Sequence, residues 1–228
     1  MRYHGTVTDK RYLLFDADNT LYDFTASETN ALRRLFRSFS LDDSTLPIYH
    51  RENKECWAMY EEGTITLERL ESERFRRFFS AIGCGADPFQ AGRLYAHLLG
   101  EEGIMIDGAG DLLKALRKSY SLCIITNGIA RIQKERFLRT GTADLYEKVF
   151  ISQEIGYAKP DSRFFSHVLY SLGAEKEQCL VIGDSLTSDI KGAEGAGIDS
   201  VYISFSGSTA QNATYSVSSY EELRSLLL

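Results

Sequence analysis

Asp16 and Asp18 stand two residues apart, directly after the apolar run Tyr12-Leu13-Leu14-Phe15, in the stretch Asp16-Ala17-Asp18-Asn19-Thr20. Three later stretches carry matching chemistry: Thr126-Asn127-Gly128, Lys159-Pro160-Asp161, and Gly183-Asp184 through Asp189. One chain thus offers carboxylates, a hydroxyl and an ammonium. That set suits attack on a phosphate monoester, whose hydrolysis is so slow unaided that enzymes accelerate it by as much as ~10²¹-fold. An ionised aspartate can attack phosphorus and form an aspartyl-phosphate, which divides one hard step into two. A second carboxylic acid can protonate the leaving oxygen and later activate water, an effect worth about 10²–10⁴-fold. An anionic nucleophile repels an anionic phosphate unless a cation intervenes, and Mg²⁺ takes both carboxylate and phosphate oxygens. Asp184 would supply a further ligand, while Thr126 and Lys159 could hold the equatorial oxygens.

Each residue alone has an ordinary explanation. Asp18 or Asn19 can cap the turn after a strand, Thr126 can bond backbone at a strand end, and Lys159 can be a solvated surface lysine. Asp184 and Asp189 can be acids favouring the start of a helix. Together these explanations require hydroxyl, ammonium and carboxylates to converge at one place by accident.

The surrounding elements argue for convergence. Tyr12–Phe15, Leu122–Thr126, Val149–Ile151, Cys179–Ile182 and Ser200–Ile203 read as short buried strands. Helical patterns over Leu112–Lys118, Ile129–Arg139, Asp161–Leu172, Thr187–Ala196 and from Tyr220 onward separate or follow them. Pro160 is suited to the first turn of its helix and Asp161 to the helix dipole. Such alternation predicts an α/β fold, a Rossmann-like parallel sheet flanked by helices, in which the four chemical groups share the carboxyl edge where ligands bind. Between Phe24 and Glu102 the pattern changes to helical spacing only, over Glu28–Phe39, Ile48–Glu61, Leu67–Ile82 and Phe89–Leu99, with Gly63 and Gly83 at expected helix stops. The expected organisation is a core of residues 1–23 and 103–228 with an all-helical cap of residues 24–102 inserted after the first strand.

Composition narrows the partners. The 228 residues are 43% hydrophobic, enough for a full core. Lys and Arg number 26 against 32 Asp and Glu, a net charge of −6 that leaves no basic face for a nucleic acid. Cys56, Cys84, Cys123 and Cys179 form no Cys-x-x-Cys pair and read as free thiols in a reducing compartment. His4, His50, His97 and His167 are too dispersed for a zinc site. No apolar stretch approaches the ~20 residues that span a bilayer, and no signal-peptide pattern opens the chain. A cytoplasmic protein, either a monomer or a homodimer, acting on a small phosphorylated metabolite is expected.

These motifs, in this order, resemble the phosphatases of the haloacid dehalogenase superfamily, and the resemblance covers essentially the whole chain. It implies that Asp16 is the nucleophile and a Mg²⁺ ligand. Asp18 is then the general acid and base and ligates Mg²⁺ through its backbone carbonyl. Thr126, Asn127 and Lys159 bind the phosphoryl group, with Lys159 also steadying the nucleophile, Asp184 completes the protein ligands, and Asp189 orients waters or Lys159. The position of the insert resembles the C1 class of caps. Asp16 through Phe24, Trp57-Ala58-Met59-Tyr60-Glu61-Glu62-Gly63 and Glu73-Arg74-Phe75 look like the branch with the pyrimidine 5'-nucleotidases that act on noncanonical nucleotides. One departure is Ile106-Asp107-Gly108-Ala109, where relatives usually carry a proline before the glycine. Trp57 and Arg74 are candidates to meet substrate, against core packing for the first and a surface or ion-pair role for the second.

Other readings compete. A phosphatase or mutase acting on sugar phosphates would keep every motif. A 2-haloacid dehalogenase would share the nucleophile but has no leaving alcohol for Asp18 to protonate. A noncatalytic phosphate-binding module has no need of both opening acids together with Lys159 and Asp184.

Overall fold

The computed structural model describes residues 7–228, and His4 lies outside them. Among the described residues six strands form one sheet: β1 (Tyr12–Phe15), β2 (Ser121–Thr126), β3 (Lys148–Ile151), β4 (Cys179–Gly183), β5 (Asp199–Ile203) and β6 (Tyr215–Val217). Their order is β3-β2-β1-β4-β5-β6 and every neighbouring pair is parallel. β1 and β4 are buried at every residue, as expected of strands covered on both faces. The order reverses beside β1, which pairs with β2 on one side and β4 on the other. At such a switch point the loops after adjacent strands diverge and leave a crevice at their carboxyl ends.

After β1 come α1 (Phe24–Ser38), α2 (Leu46–Glu61), α3 (Leu67–Ile82) and α4 (Pro88–Glu101), with no strand among them, and then α5 (Ala109–Leu116) before β2. α6 (Ala130–Arg139) follows β2, and α7 (Ser152–Ile155) and α8 (Ser162–Leu172) lie between β3 and β4. α9 (Lys191–Ala196) precedes β5, and α10 (Tyr220–Leu227) follows β6. Tyr12 and Leu14 of β1 share a core with Cys123, Ile125 and Val181, closed by Phe164, Phe165 and Val168 of α8 and Ala193 of α9.

Contacts divide the described chain into two units. One holds the sheet and comprises the residues up to Asp23, Ile104–Ala130 and Thr140–Leu228. The other holds Phe24–Gly103 together with Arg131–Arg139, a helix that periodicity alone assigns to the alternating part of the chain. Within this second unit Arg131 donates to Glu71 at 3.0 Å. Thr66 caps the start of α3 by accepting from the Arg69 amide at 3.2 Å, and Gly83 ends it in the left-handed conformation at φ +67°.

Local details depart from expectation in three places. Pro160 does not lie in the first turn of α8: the helix begins at Ser162, and Asp161 is its cap, accepting from the Arg163 amide at 2.9 Å, while the Lys159–Pro160 peptide is cis. The segment expected as one helix near Thr187–Ala196 is a wide π-helical turn over Leu186–Ile190 followed by α9. β6 and α7 are additional elements that the apolar pattern of the sequence does not predict. All four cysteines are free, as expected, and among the described residues no helix is long and apolar enough to cross a membrane.

Candidate active site

The residues at the carboxyl edge of the sheet unit are delivered by the strands themselves. Asp16 directly follows β1, and its amide donates to the Ile182 carbonyl of β4 at 2.8 Å, so the side chain leaves the sheet at the switch point. Asp184 follows the last residue of β4, Thr126 is the last residue of β2, and Lys159 lies on the segment between α7 and α8.

Lys159 organises the centre. Its side chain is 1% exposed, and Nζ donates to Asp16 Oδ1 at 2.7 Å, Asp189 Oδ1 at 2.6 Å and the Ile125 carbonyl at 2.8 Å. All three ammonium donors are therefore used. Asn127 clamps the same residue through its backbone: Oδ1 accepts from the Lys159 amide and Nδ2 donates to the Lys159 carbonyl, both at 2.8 Å. Asn127, expected among the phosphate binders, thus spends its side chain on holding Lys159. The buried Thr126 hydroxyl accepts from the Gly128 amide at 3.0 Å, which fixes the turn after β2.

Asp189 is fully buried, and both of its carboxylate oxygens are engaged, one by Lys159 and the other by the Ser185 amide at 3.1 Å. The wide turn over Leu186–Ile190 brings it back beneath β4, against Gly183, where a Cβ would overlap its carboxylate. Only glycine leaves that space. Asp184 Oδ1 accepts from the Thr20 hydroxyl at 3.2 Å. Asp18 lies in the turn after Asp16, where its backbone bridges to Tyr22, and neighbouring Asn19 takes the left-handed conformation at φ +58°, uncommon for a residue with a side chain.

The charge balance is uneven. One carboxylate oxygen from each of Asp16, Asp184 and Asp189 lies within 4.8 Å of the others, around a single ammonium. Burial pushes the Asp16 carboxyl well above the ordinary aspartate range; Lys159 acts against this, and Asp189, Asp184 and Asp18 add to it. Asp184 is pushed up to about 6 by burial and then by Asp189, with the Thr20 hydroxyl opposing. Burial opposes the charge on Lys159, but Asp16 and Asp189 outweigh it and hold the ammonium above the ordinary lysine value. Such an excess of negative charge among hard oxygen donors fits a divalent cation of the Mg²⁺ type. Asp16 and Asp184 fit as its side-chain ligands, whereas Asp189 is already committed to Lys159 and Ser185.

The structure thus gathers Asp16, Thr126, Asn127, Lys159, Asp184 and Asp189, with Asp18 in the adjoining turn. Thr20 is a contributor that residue-type reasoning missed, although it belongs to the opening motif. The two candidates in the insert take other places. Arg74 is 2% exposed within the helical unit, its guanidinium 4.6 Å from the centre of the Tyr95 ring and donating to Asn53 at 3.3 Å. Trp57 is half-buried, edge-on to Tyr60 with ring centres 5.8 Å apart.

Comparison with known proteins agrees with this geometry. The family model described as haloacid dehalogenase-like hydrolase matches residues 10–197. The chain is 36% identical over 220 residues to the pyrimidine 5'-nucleotidase PynA of Streptococcus pneumoniae, covering 93% of each chain. It is 31% identical to the pyrimidine 5'-nucleotidase YjjG of Escherichia coli, covering 95% of this chain and 97% of that protein. A crystal structure of the HAD-hydrolase YfnB of Bacillus subtilis bound to magnesium superposes with a TM-score of 0.90 at 33% identity, covering 96% of this chain and 98% of that one. The order of the strands, the acids at the switch point and these matches lead to one assignment: this chain belongs to the haloacid dehalogenase-like hydrolases.

Proposed function

We propose that this chain hydrolyses phosphate monoesters through an aspartyl-phosphate on Asp16, and that its substrates are small nucleoside monophosphates, pyrimidine ones first. The observation that carries the chemistry is the Asp16 carboxylate at the β1–β4 switch point, paired at 2.7 Å with a fully enclosed Lys159. The likeness to PynA and YjjG supports the substrate class.

Asp16 attacks phosphorus, the ester oxygen departs, and Asp18 gives that oxygen its proton. Water then attacks the phosphorus of the aspartyl-phosphate while Asp18 takes the proton, which releases inorganic phosphate and returns both carboxyl groups to their starting states. Lys159 keeps Asp16 oriented and adds positive charge beside the transferring group, and Thr126 places a hydroxyl at the same edge. Mg²⁺, held by Asp16, Asp184 and the Asp18 carbonyl, would offset the charge of nucleophile and phosphate. The magnesium bound by YfnB supports this choice of ion.

The test is Mg²⁺-dependent release of phosphate from p-nitrophenyl phosphate, followed by a screen of phosphorylated metabolites. Activity lost in a folded Asp16→Asn preparation is expected. No release by the wild type would overturn the phosphatase reading, and sugar phosphates turned over with kcat/KM far above any nucleotide would overturn the substrate class alone. An absolute requirement for a bisphosphate activator would identify a mutase.

A further inference from the structure

Helix α10 reaches the active-site loop through a hydrogen bond of Tyr220. Tyr220, in the first turn of α10, donates its hydroxyl to the backbone carbonyl of Thr20 at 2.6 Å, and both residues are buried. The hydroxyl of the same Thr20 donates to Asp184 Oδ1 at 3.2 Å. One residue of the opening motif therefore has its side chain committed to a carboxylate and its carbonyl committed to a helix 200 positions away.

Tyr220 is placed with care for a surface-helix residue. Ser219 caps α10 by accepting from the Glu222 amide at 3.2 Å, and Glu222 accepts in return from the Ser218 amide at 2.7 Å. At the other end Tyr120 donates to the Leu227 carbonyl at 2.6 Å. The Tyr220 ring stands edge-on to Phe205 with centres 5.2 Å apart. Its Cδ2 lies at contact distance, 3.5 Å, from where a Cβ on Gly108 would be, and Gly108 itself is left-handed at φ +86°. The acceptor peptide is also under constraint. It follows the left-handed Asn19, whose amide donates to the Tyr22 carbonyl at 2.7 Å, and Leu21 accepts from the Ile106 amide at 3.0 Å.

We propose that Tyr220 is a positioning residue for the Asp184 carboxylate, acting through the Thr20 peptide. A buried carbonyl that loses its donor carries an uncompensated desolvation cost, so the peptide turns toward another partner and takes the Thr20 hydroxyl away from Asp184. Asp184 Oδ1 then loses one of the contacts that aim the carboxylate, the other being the backbone amide of Asp184 itself. The proposal rests on the reading of Asp184 as a metal ligand, and the experiment separates the two.

Mn²⁺ binding to the full chain, measured by electron paramagnetic resonance, is the readout, with thermal unfolding recorded in parallel. Wild type binds and Asp184→Asn does not; a wild type that fails to bind overturns the ligand reading and this proposal with it. Thr20→Val, which loses the hydroxyl and keeps the shape, weakens binding about ten-fold, and Thr20→Ser restores it. Tyr220→Phe keeps the ring and its contacts with Phe205 and Gly108, and weakens binding at least about three-fold. The double variant Thr20→Val with Tyr220→Phe binds no more weakly than Thr20→Val alone, because both act on one contact. A Tyr220→Phe protein that melts earlier but binds Mn²⁺ as the wild type does would overturn the proposal, and so would losses that add in the double variant. Should Tyr220→Phe not fold, ring-fluorinated tyrosine at position 220 strengthens the donor without deleting it: altered Mn²⁺ affinity is the expected result, and unaltered affinity refutes the role.

Discussion

Replacing Lys159 by methionine removes one charge and almost no volume from the most enclosed point of the site. The ammonium satisfies Asp16, Asp189 and the Ile125 carbonyl at 2.6–2.8 Å with a side chain 1% exposed, so little water can take its place. Removing one partner of a buried ion pair costs about 3–5 kcal/mol. For a chain of this size that corresponds to a fall in melting temperature of about 6–20 °C. The pH dependence follows from the carboxyls left behind. Asp16 is already held above its ordinary value, and Asp184 is pushed up to about 6. Without the ammonium both rise further. A carboxyl whose folded value exceeds its unfolded value binds more protons when folded, so stability is lost as pH rises through that interval. Lys159 in the wild type stays charged throughout, its own value being raised above 10.5. The deficit of Lys159→Met is therefore largest near pH 8, smallest near pH 5, and reduced by millimolar Mg²⁺. Calorimetric unfolding in EDTA across this range measures it. A deficit below about 1 kcal/mol at pH 8, or one that does not change with pH, would refute the reasoning.

Asp18→Asn should slow the first chemical step far more for alkyl phosphates than for p-nitrophenyl phosphate, whose phenolate departs without a proton; single-turnover rates that fall equally for both would remove the acid role. Gly183→Ala places a Cβ in the space of the Asp189 carboxylate. It should cost about 1–3 kcal/mol and lower turnover by loosening Lys159; native melting and native rates in that variant would show that the contact is slack.

Strands β1 and β4 and the two acids beside them were legible because apolar runs buried on both faces, each ending in a carboxylate, leave few alternatives for a short segment. β6 was not, since Tyr215-Ser216-Val217 is brief, lies at the sheet edge and carries no apolar run. The Leu186–Ile190 turn escaped because helical spacing does not register one residue more per turn. The motif points Asn127 at phosphate, while its actual engagement, two bonds to the backbone of Lys159, depends on a distant loop that no spacing reveals. Thr20 illustrates the same limit: a threonine after two aspartates is visible, but the tyrosine that holds its carbonyl is not. For Arg74 the residue type favours a surface or ion-pair role, or a place in the cleft, because arginine is seldom enclosed; in the structure it is buried beside the Tyr95 ring with one hydrogen bond to Asn53.

The central position of β1 has a consequence for synthesis. Its four residues leave the ribosome ahead of both partners, Ser121–Ile124 on one side and Cys179–Ile182 on the other. At about 5–20 residues per second, Tyr12–Phe15 waits roughly ten to thirty seconds with at least one unpaired edge. During that interval an apolar strand is available to wrong neighbours, and the helices between residues 24 and 101, built from near contacts, can form meanwhile. Asp16 and Lys159, 143 positions apart, meet only after the whole stretch between them has been made. A growing chain therefore carries no assembled catalytic centre, and a translation pause placed between β2 and β4 would prolong the aggregation-prone interval.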